Sequence, residues 1–313
     1  FSSFTFLLLI NKNFKTSIKW HFLIAVLTQL IVISRACYQS IILNAERVPL
    51  SAMSGNIGQM GAATIAAYAI TFCALYSSTV FLKLESKYKW VIFYSNFALS
   101  FVALLMTGTR AAIITFPFII IVMLFIQFRE QKAFLFKSLS VVLVLFLGCG
   151  LLFSKEIEIR AIALKSDVSL YIAKNNSISS VGARFSMIQA GIESAPKGLE
   201  WQSLEQRAIN ITELSNQNSI YKGAVEFIGV HMHNEVVEAL STKGVFGVIF
   251  LLFFYGALIY YCVHEKKHLL IIFPVSIMLF GLSDVITHDK PIPAAWIVCL
   301  FLSASLLGKK EEK

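Results

Sequence analysis

Residues 231–247 read HMHNEVVEALSTKGVFG. Two histidines, an asparagine and two glutamates therefore stand directly before an uncharged run of twenty residues, Gly244 to Val263. Imidazole is the usual general base near neutral pH, so proton transfer is the first chemistry to consider here. On a helix, residues two apart lie about 200° around the axis, so at most one of His231 and His233 points into a common site. Asn234 suits the N-cap of the helix that follows, with Glu235 and Glu238 well placed in its positive first turn. The plainer reading is a pair of polar residues resting at a membrane interface.

Two arginines are candidate partners for an anion. Arg110 is the only charged residue between Trp90 and Phe128, in a turn made only of TGT. A guanidinium at that depth either snorkels to the interface or faces a cavity or an anionic partner. Its planar fork of donors suits phosphate oxygens. Arg184, in VGARFSM, offers a second cation. An imidazole near two such arginines suits group transfer from a lipid-linked phosphate.

Other motifs carry less. HEKKH, His264 to His268, matches the zinc-peptidase string, but two lysines fill its centre and it lies in a basic loop, so it is read as a chance match. The pair Glu156 and Glu158 resembles acidic pairs that hold metals, yet KEIEIR alternates charge and isoleucine and reads as a half-buried segment. No metal site is expected. Cys37 and Cys149 both fall near one face, and buried free thiols are the preferred reading.

These residues must be positioned by membrane helices. The chain is 57% hydrophobic and 14% charged, with a mean hydropathy of +0.73. Runs without Asp, Glu, Lys or Arg cover 56–82, 90–109, 111–128, 138–154, 244–263, 269–283 and 291–308, and 18–37 is nearly as apolar. Each approaches the roughly 20 residues that cross a bilayer, giving eight spans. FSSFTFLLLI reads as the tail of a ninth, and with no Met or cleavable leader before it a missing N-terminal portion is expected. Alternate short loops carry 14 Lys and Arg against 4 in the opposite set. The basic set is cytoplasmic, and HMHN is outside. That distribution also explains the pI of 9.3 without nucleic acid. One connection, from Ser154 to Lys243, is far longer, with 9 basic and 10 acidic residues. Phe185, Ile188 and Ile192, and Leu204, Ala208 and Ile211, recur at helical spacing, predicting two surface helices against the membrane face.

HNEVVEALSTKGVFG also fits a pattern of His, Asn, nine residues and GxxG, and in this it resembles the O-antigen ligases. TGTRAA is similar to their arginine turn, VGARFSM and KGAVEF to their periplasmic loop, and GLSD at 281–284 to the outer end of a late helix. The resemblance covers about residues 40–308. It implies an all-α polytopic membrane protein, a multi-helix transmembrane bundle with a long, partly helical periplasmic loop. Residues 1–153 would be N-terminal transmembrane helices, incomplete at the N-terminus, 154–235 the periplasmic loop, and 236–313 C-terminal transmembrane helices. It further implies a bacterial inner-membrane glycosyltransferase. The donor would be O-antigen on undecaprenyl diphosphate and the acceptor a sugar hydroxyl of lipid A-core, with no metal, ATP or other cofactor. His233 would be the catalytic base, and Arg110 and Arg184 would bind the donor diphosphate. Asn234, Asp284 and His231 would support them, Asp284 by orienting His233 or pairing an arginine. An O-antigen polymerase is the alternative, sharing topology and donor; a flippase would need charged or broken helices at mid-membrane, and these spans are clean.

Overall fold

The structure is a computed structural model that describes residues 17–51, 61–174, 176–229, 231–287 and 290–308. All regular structure among them is helical. The FSSFTFLLLI tail and the expected missing portion lie outside the described residues. Six helices are long and apolar enough to cross a membrane: Ile18–Ile42, Ala62–Leu82, Lys89–Thr107, Arg110–Phe128, Lys132–Leu152 and Glu235–His264. The other two expected spans form shorter apolar helices, His268–Gly281 and Pro291–Leu306. The protein is an all-α polytopic membrane protein, and its chain divides into two units.

The first unit holds residues up to Leu152 with 258–277 and 289–313. Its helices include α1 (Ile18–Cys37), α2 (Ala62–Leu82), α3 (Lys89–Thr107), α4 (Arg110–Phe128) and α5 (Lys132–Leu152). The most buried is α2, whose alanines, serines and threonines let α1, α3 and the helix Pro291–Leu306 pack closely on it. Buried polar side chains join these helices. Gln29 Nε2 donates to Ser77 Oγ at 3.3 Å, Ser100 Oγ donates to Gln29 Oε1 at 3.2 Å, and Asn96 Nδ2 donates to Ser78 Oγ at 2.9 Å. Without water, such bonds hold spans together where the hydrophobic effect cannot. All five cysteines are free thiols, as the preferred reading had it.

The second unit holds 153–257 and 278–288. It contains α6 (Ser154–Lys174), α7 (Ser180–Glu193), α8 (Leu204–Gln217) and the short α9 (Lys222–Val225). The two expected helices are α7 and α8, started by the side chains of Ser179 and Ser203, which accept from Gly182 N and Gln206 N. The expected apolar stripe is not the buried one on α7: Phe185 and Ile192 are exposed, while Ala183, Met187 and Ala190 enter the core with Ile211, Ala224, Met232 and Val237. Small residues allow the closer approach. KEIEIR is also corrected: it lies within α6, and Ile157, Ile159 and Ile162 are exposed. Alternation over six residues was too short to outweigh the good helix formers that follow, AIALK.

The next helix, α10 (Glu235–His264), breaks at Gly244, where φ is 61° and ψ is −157°. That conformation is essentially reserved to glycine. Thirty unbroken residues would measure about 45 Å; the twenty beyond the break measure about 30 Å, the thickness of the hydrocarbon core. The last helices are α11 (Ile272–Gly281) and α12 (Pro291–Leu306).

Candidate functional site

The HMHN segment is not helical, and this changes its geometry. Met232 is fully buried in the core of the second unit, and the two histidines that flank it come together. His233 has a positive φ of 49°, which bends the chain just before the helix. The two imidazole centroids are 4.5 Å apart, edge to face. The expectation that only one histidine could enter a common site is therefore overturned, because it assumed a helix where the chain is irregular and bends at His233. The alternation of histidines about one methionine was the signal for this.

Asp284 is what they meet. Its Oδ1 lies 2.6 Å from His231 Nε2 and 3.3 Å from His233 Nδ1, the second contact being outside hydrogen-bonding geometry. Val285 N donates to the same oxygen at 2.9 Å. Burial works to raise the pKa of Asp284, but the hydrogen bond from His231 and the close approach of both imidazoles together outweigh it and hold the carboxyl well below the usual carboxylate range. The side chain of His231 is 7% exposed and that of His233 is 21% exposed, so the second is the more open of the two.

The remaining residues of HNEVVE frame this trio. Asn234 Oδ1 accepts from Val236 N and Val237 N at 3.0 and 3.1 Å, the cap read from the sequence, and its Nδ2 donates to Leu282 O at 3.1 Å. Glu235 accepts from Ile286 N at 2.6 Å and Thr287 Oγ1 at 2.7 Å, fixing the loop that carries Asp284. Glu238 accepts from Met232 N at 2.9 Å, between the histidines, and pairs at 2.9 Å with Arg207 of α8. Arg207 is 2% exposed and also donates to Ser241 Oγ at 3.2 Å. This buried arginine went unnoticed in the sequence, where EQRAIN looks like an ordinary surface helix.

The two candidate arginines belong to different units. Arg184 is exposed on α7, and among the described residues no hydrogen bond or ion pair joins it to the histidines or Asp284. Arg110 belongs to the first unit and is the first residue of α4, half-buried. A cation is unfavourable at a helix N-terminus, so local helix energetics do not account for it. Its turn is held by Arg47, whose Nε donates to Thr107 O at 3.0 Å and Nη2 to Thr109 Oγ1 at 3.2 Å.

His231, His233 and Asp284 each offer one ligand atom, all within 4.8 Å of one another, so folding assembles a donor set that their spacing did not advertise. One contact bears on its use. Two ligands each about 2.0–2.2 Å from one tetrahedral ion stand well over 3 Å apart, whereas His231 and Asp284 are at hydrogen-bonding distance, 2.6 Å. As arranged, that pair shares a proton rather than an ion.

Comparison with known proteins agrees with this framework. A family described as O-antigen ligase matches residues 95–252. The chain is also similar to the O-antigen ligase of Escherichia coli strain K12, with 30% identity over 244 residues, which is 78% of this chain and 58% of that relative. It thus spans under two thirds of the relative's length. A polytopic helical protein whose matched region runs from the arginine turn through HNEVVEALSTKGVFG belongs to the O-antigen ligase family.

Proposed function

We propose that this protein transfers O-antigen from undecaprenyl diphosphate to a sugar hydroxyl of lipid A-core, without metal or ATP. The reaction would take place at the outer leaflet of the bacterial inner membrane, with 154–235 in the periplasm between the two sets of transmembrane helices. The observation that carries this reading is the His231–Asp284–His233 cluster, whose two histidines lie inside the family's matched region. His233 is the base: Nδ1 faces the carboxylate, which leaves Nε2 to take the proton of the acceptor hydroxyl as its oxygen attacks the anomeric carbon. The ionised Asp284 stabilises the imidazolium that forms. His231 holds Asp284 and Asn234 holds the turn. Arg110 and Arg184 bind the donor diphosphate and stabilise it as it departs.

The test is reconstitution. The full-length protein is incubated with lipid-linked O-antigen and lipid A-core, without ATP and with a chelator, and the products are separated by size. A ladder of capped lipopolysaccharide is expected. Elongated glycan that stays on the lipid carrier would make the protein a polymerase, and restoration of a chelated, inactive enzyme by one divalent ion would make the trio a metal site.

A further inference from the structure

A concavity lies in the second unit, between α8 and the 193–202 segment that follows α7. It has a volume of about 480 Å³, within the range of about 300–1,000 Å³ usual for small-molecule sites. Its walls are mostly polar, with Ala195, Pro196 and Leu214 among them and one aromatic. Trp201 is 70% exposed, an unusual position for so large an aromatic on a polar wall. From α8 the wall receives Gln206, Asn210, Glu213 and Gln217, a ladder at helical spacing on one face. Gln206 Nε2 donates to Asn210 Oδ1 at 3.0 Å, and Asn210 Nδ2 donates to Gln202 Oε1 at 2.9 Å, so the amides are set in fixed orientations.

We propose that this concavity binds a saccharide, neutral or amino-substituted, belonging to one of the two glycan substrates. An aromatic face next to oriented amides and carboxylates matches a sugar ring, which offers a C–H face to stack and hydroxyls that both donate and accept. Charge narrows the class. Glu193, Glu200 and Glu213 face the concavity against Lys197 alone, so a phosphorylated saccharide is repelled and an amino sugar is favoured.

The site is tied to the histidine segment. Gln202 N donates to Thr242 O at 3.0 Å, and Gln202 Nε2 donates to the carbonyls of Ser194 and Ser241. Gly244 lies so close to this segment that a Cβ there would stand 3.1 Å from Glu200 O. The wall with Trp201 and the turn with His233 are thus fastened to opposite ends of one short helix, residues 235–243. This proposal rests on the ligase reading for the identity of its ligand.

The experiment uses the purified protein in detergent with two probes freed of lipid: the O-antigen repeat oligosaccharide and the core oligosaccharide, the latter with and without its phosphates. Binding is read by saturation-transfer NMR and tryptophan fluorescence. Either the O-antigen probe or the dephosphorylated core should bind, identifying donor or acceptor as the source. Trp201→Ala and Glu213→Ala, both at exposed positions, should each weaken it by about tenfold or more. Binding should persist in His233→Ala. The proposal is overturned if no probe binds, if Trp201→Ala binds like wild type, or if phosphorylated core binds best. If Trp201-dependent binding is found but His233→Ala still transfers, the assigned base fails and the saccharide site stands.

Discussion

At the scale of single residues, the two histidines share one carboxylate but differ in exposure, and their substitutions should differ accordingly. Loss of a general base costs about 100- to 10,000-fold in rate, so His233→Ala is expected to abolish transfer in reconstituted assays while its thermal stability stays near wild type. His231 is the buried partner of Asp284 at 2.6 Å. Its removal leaves a buried carboxylate short of a bond, so His231→Ala should lower stability by about 1–3 kcal/mol, and lose activity only in part. Asp284→Asn has a pH signature. A carboxyl whose folded-state pKa is depressed contributes stability that is present above its unfolded pKa and lost as pH falls towards its folded one. Wild type should therefore melt above Asp284→Asn at neutral pH, and the gap should narrow below about pH 4. A gap that widens on acidification would contradict the pairing. The sequence made the residue types legible here, and Asn234 was read correctly as a cap because capping is local. The resemblance offered Asp284 as a partner of His233, but the sequence hid the hydrogen bond of His231 to the same carboxylate, since a contact across 53 residues depends on how the chain returns.

At the scale of elements, charge-free length located helices at all eight expected places among the described residues, six of them long enough to span and two, His268–Gly281 and Pro291–Leu306, shorter, because crossing a bilayer is a local demand on about 20 residues. The faces of helices were less legible. On α7 Phe185 and Ile192 of the expected stripe are exposed and Ile188 is partly buried against the core, while Ala183, Met187 and Ala190 carry the burial, so hydrophobic spacing marked the buried face only in part. Gly244 breaks α10, and a Cβ on Gly247 would stand 2.5 Å from Ala239 O across that break. Gly244→Ala forces an L-residue into a glycine conformation, at a cost of about 1–3 kcal/mol before the contact with Glu200 O is counted. It should lower the melting temperature and cut activity while Asn234, ten residues before the break, keeps its cap on the helix. If Gly244→Ala melts like wild type, the break at Gly244 is not built into the fold.

At the scale of the whole molecule, the charge asymmetry of the short loops is the strongest global signal, 14 basic residues against 4. It assigns sides to segments far apart in sequence. Cysteine labelling in intact cells should find residues 83–89 and 264–268 cytoplasmic and 176–218 accessible from the periplasm. Labelling of Lys87 from outside would reverse the orientation and, with it, the proposed meeting of lipid-linked substrates. Buried polar bonds within the first unit were invisible to this reading, because glutamine, asparagine and serine carry no charge and barely alter the hydropathy of a span.

The nine residues from Glu235 to Lys243 form a ruler. Their helix starts at a cap beside one histidine and stops at a glycine against which the Trp201 wall rests. Each residue adds about 1.5 Å and 100° of turn, so inserting or deleting one would swing the two ends out of register by more than a quarter of a circle while leaving every side chain at the centre intact. A substitution scan would find several tolerant positions within this interval; its length is where tolerance should end.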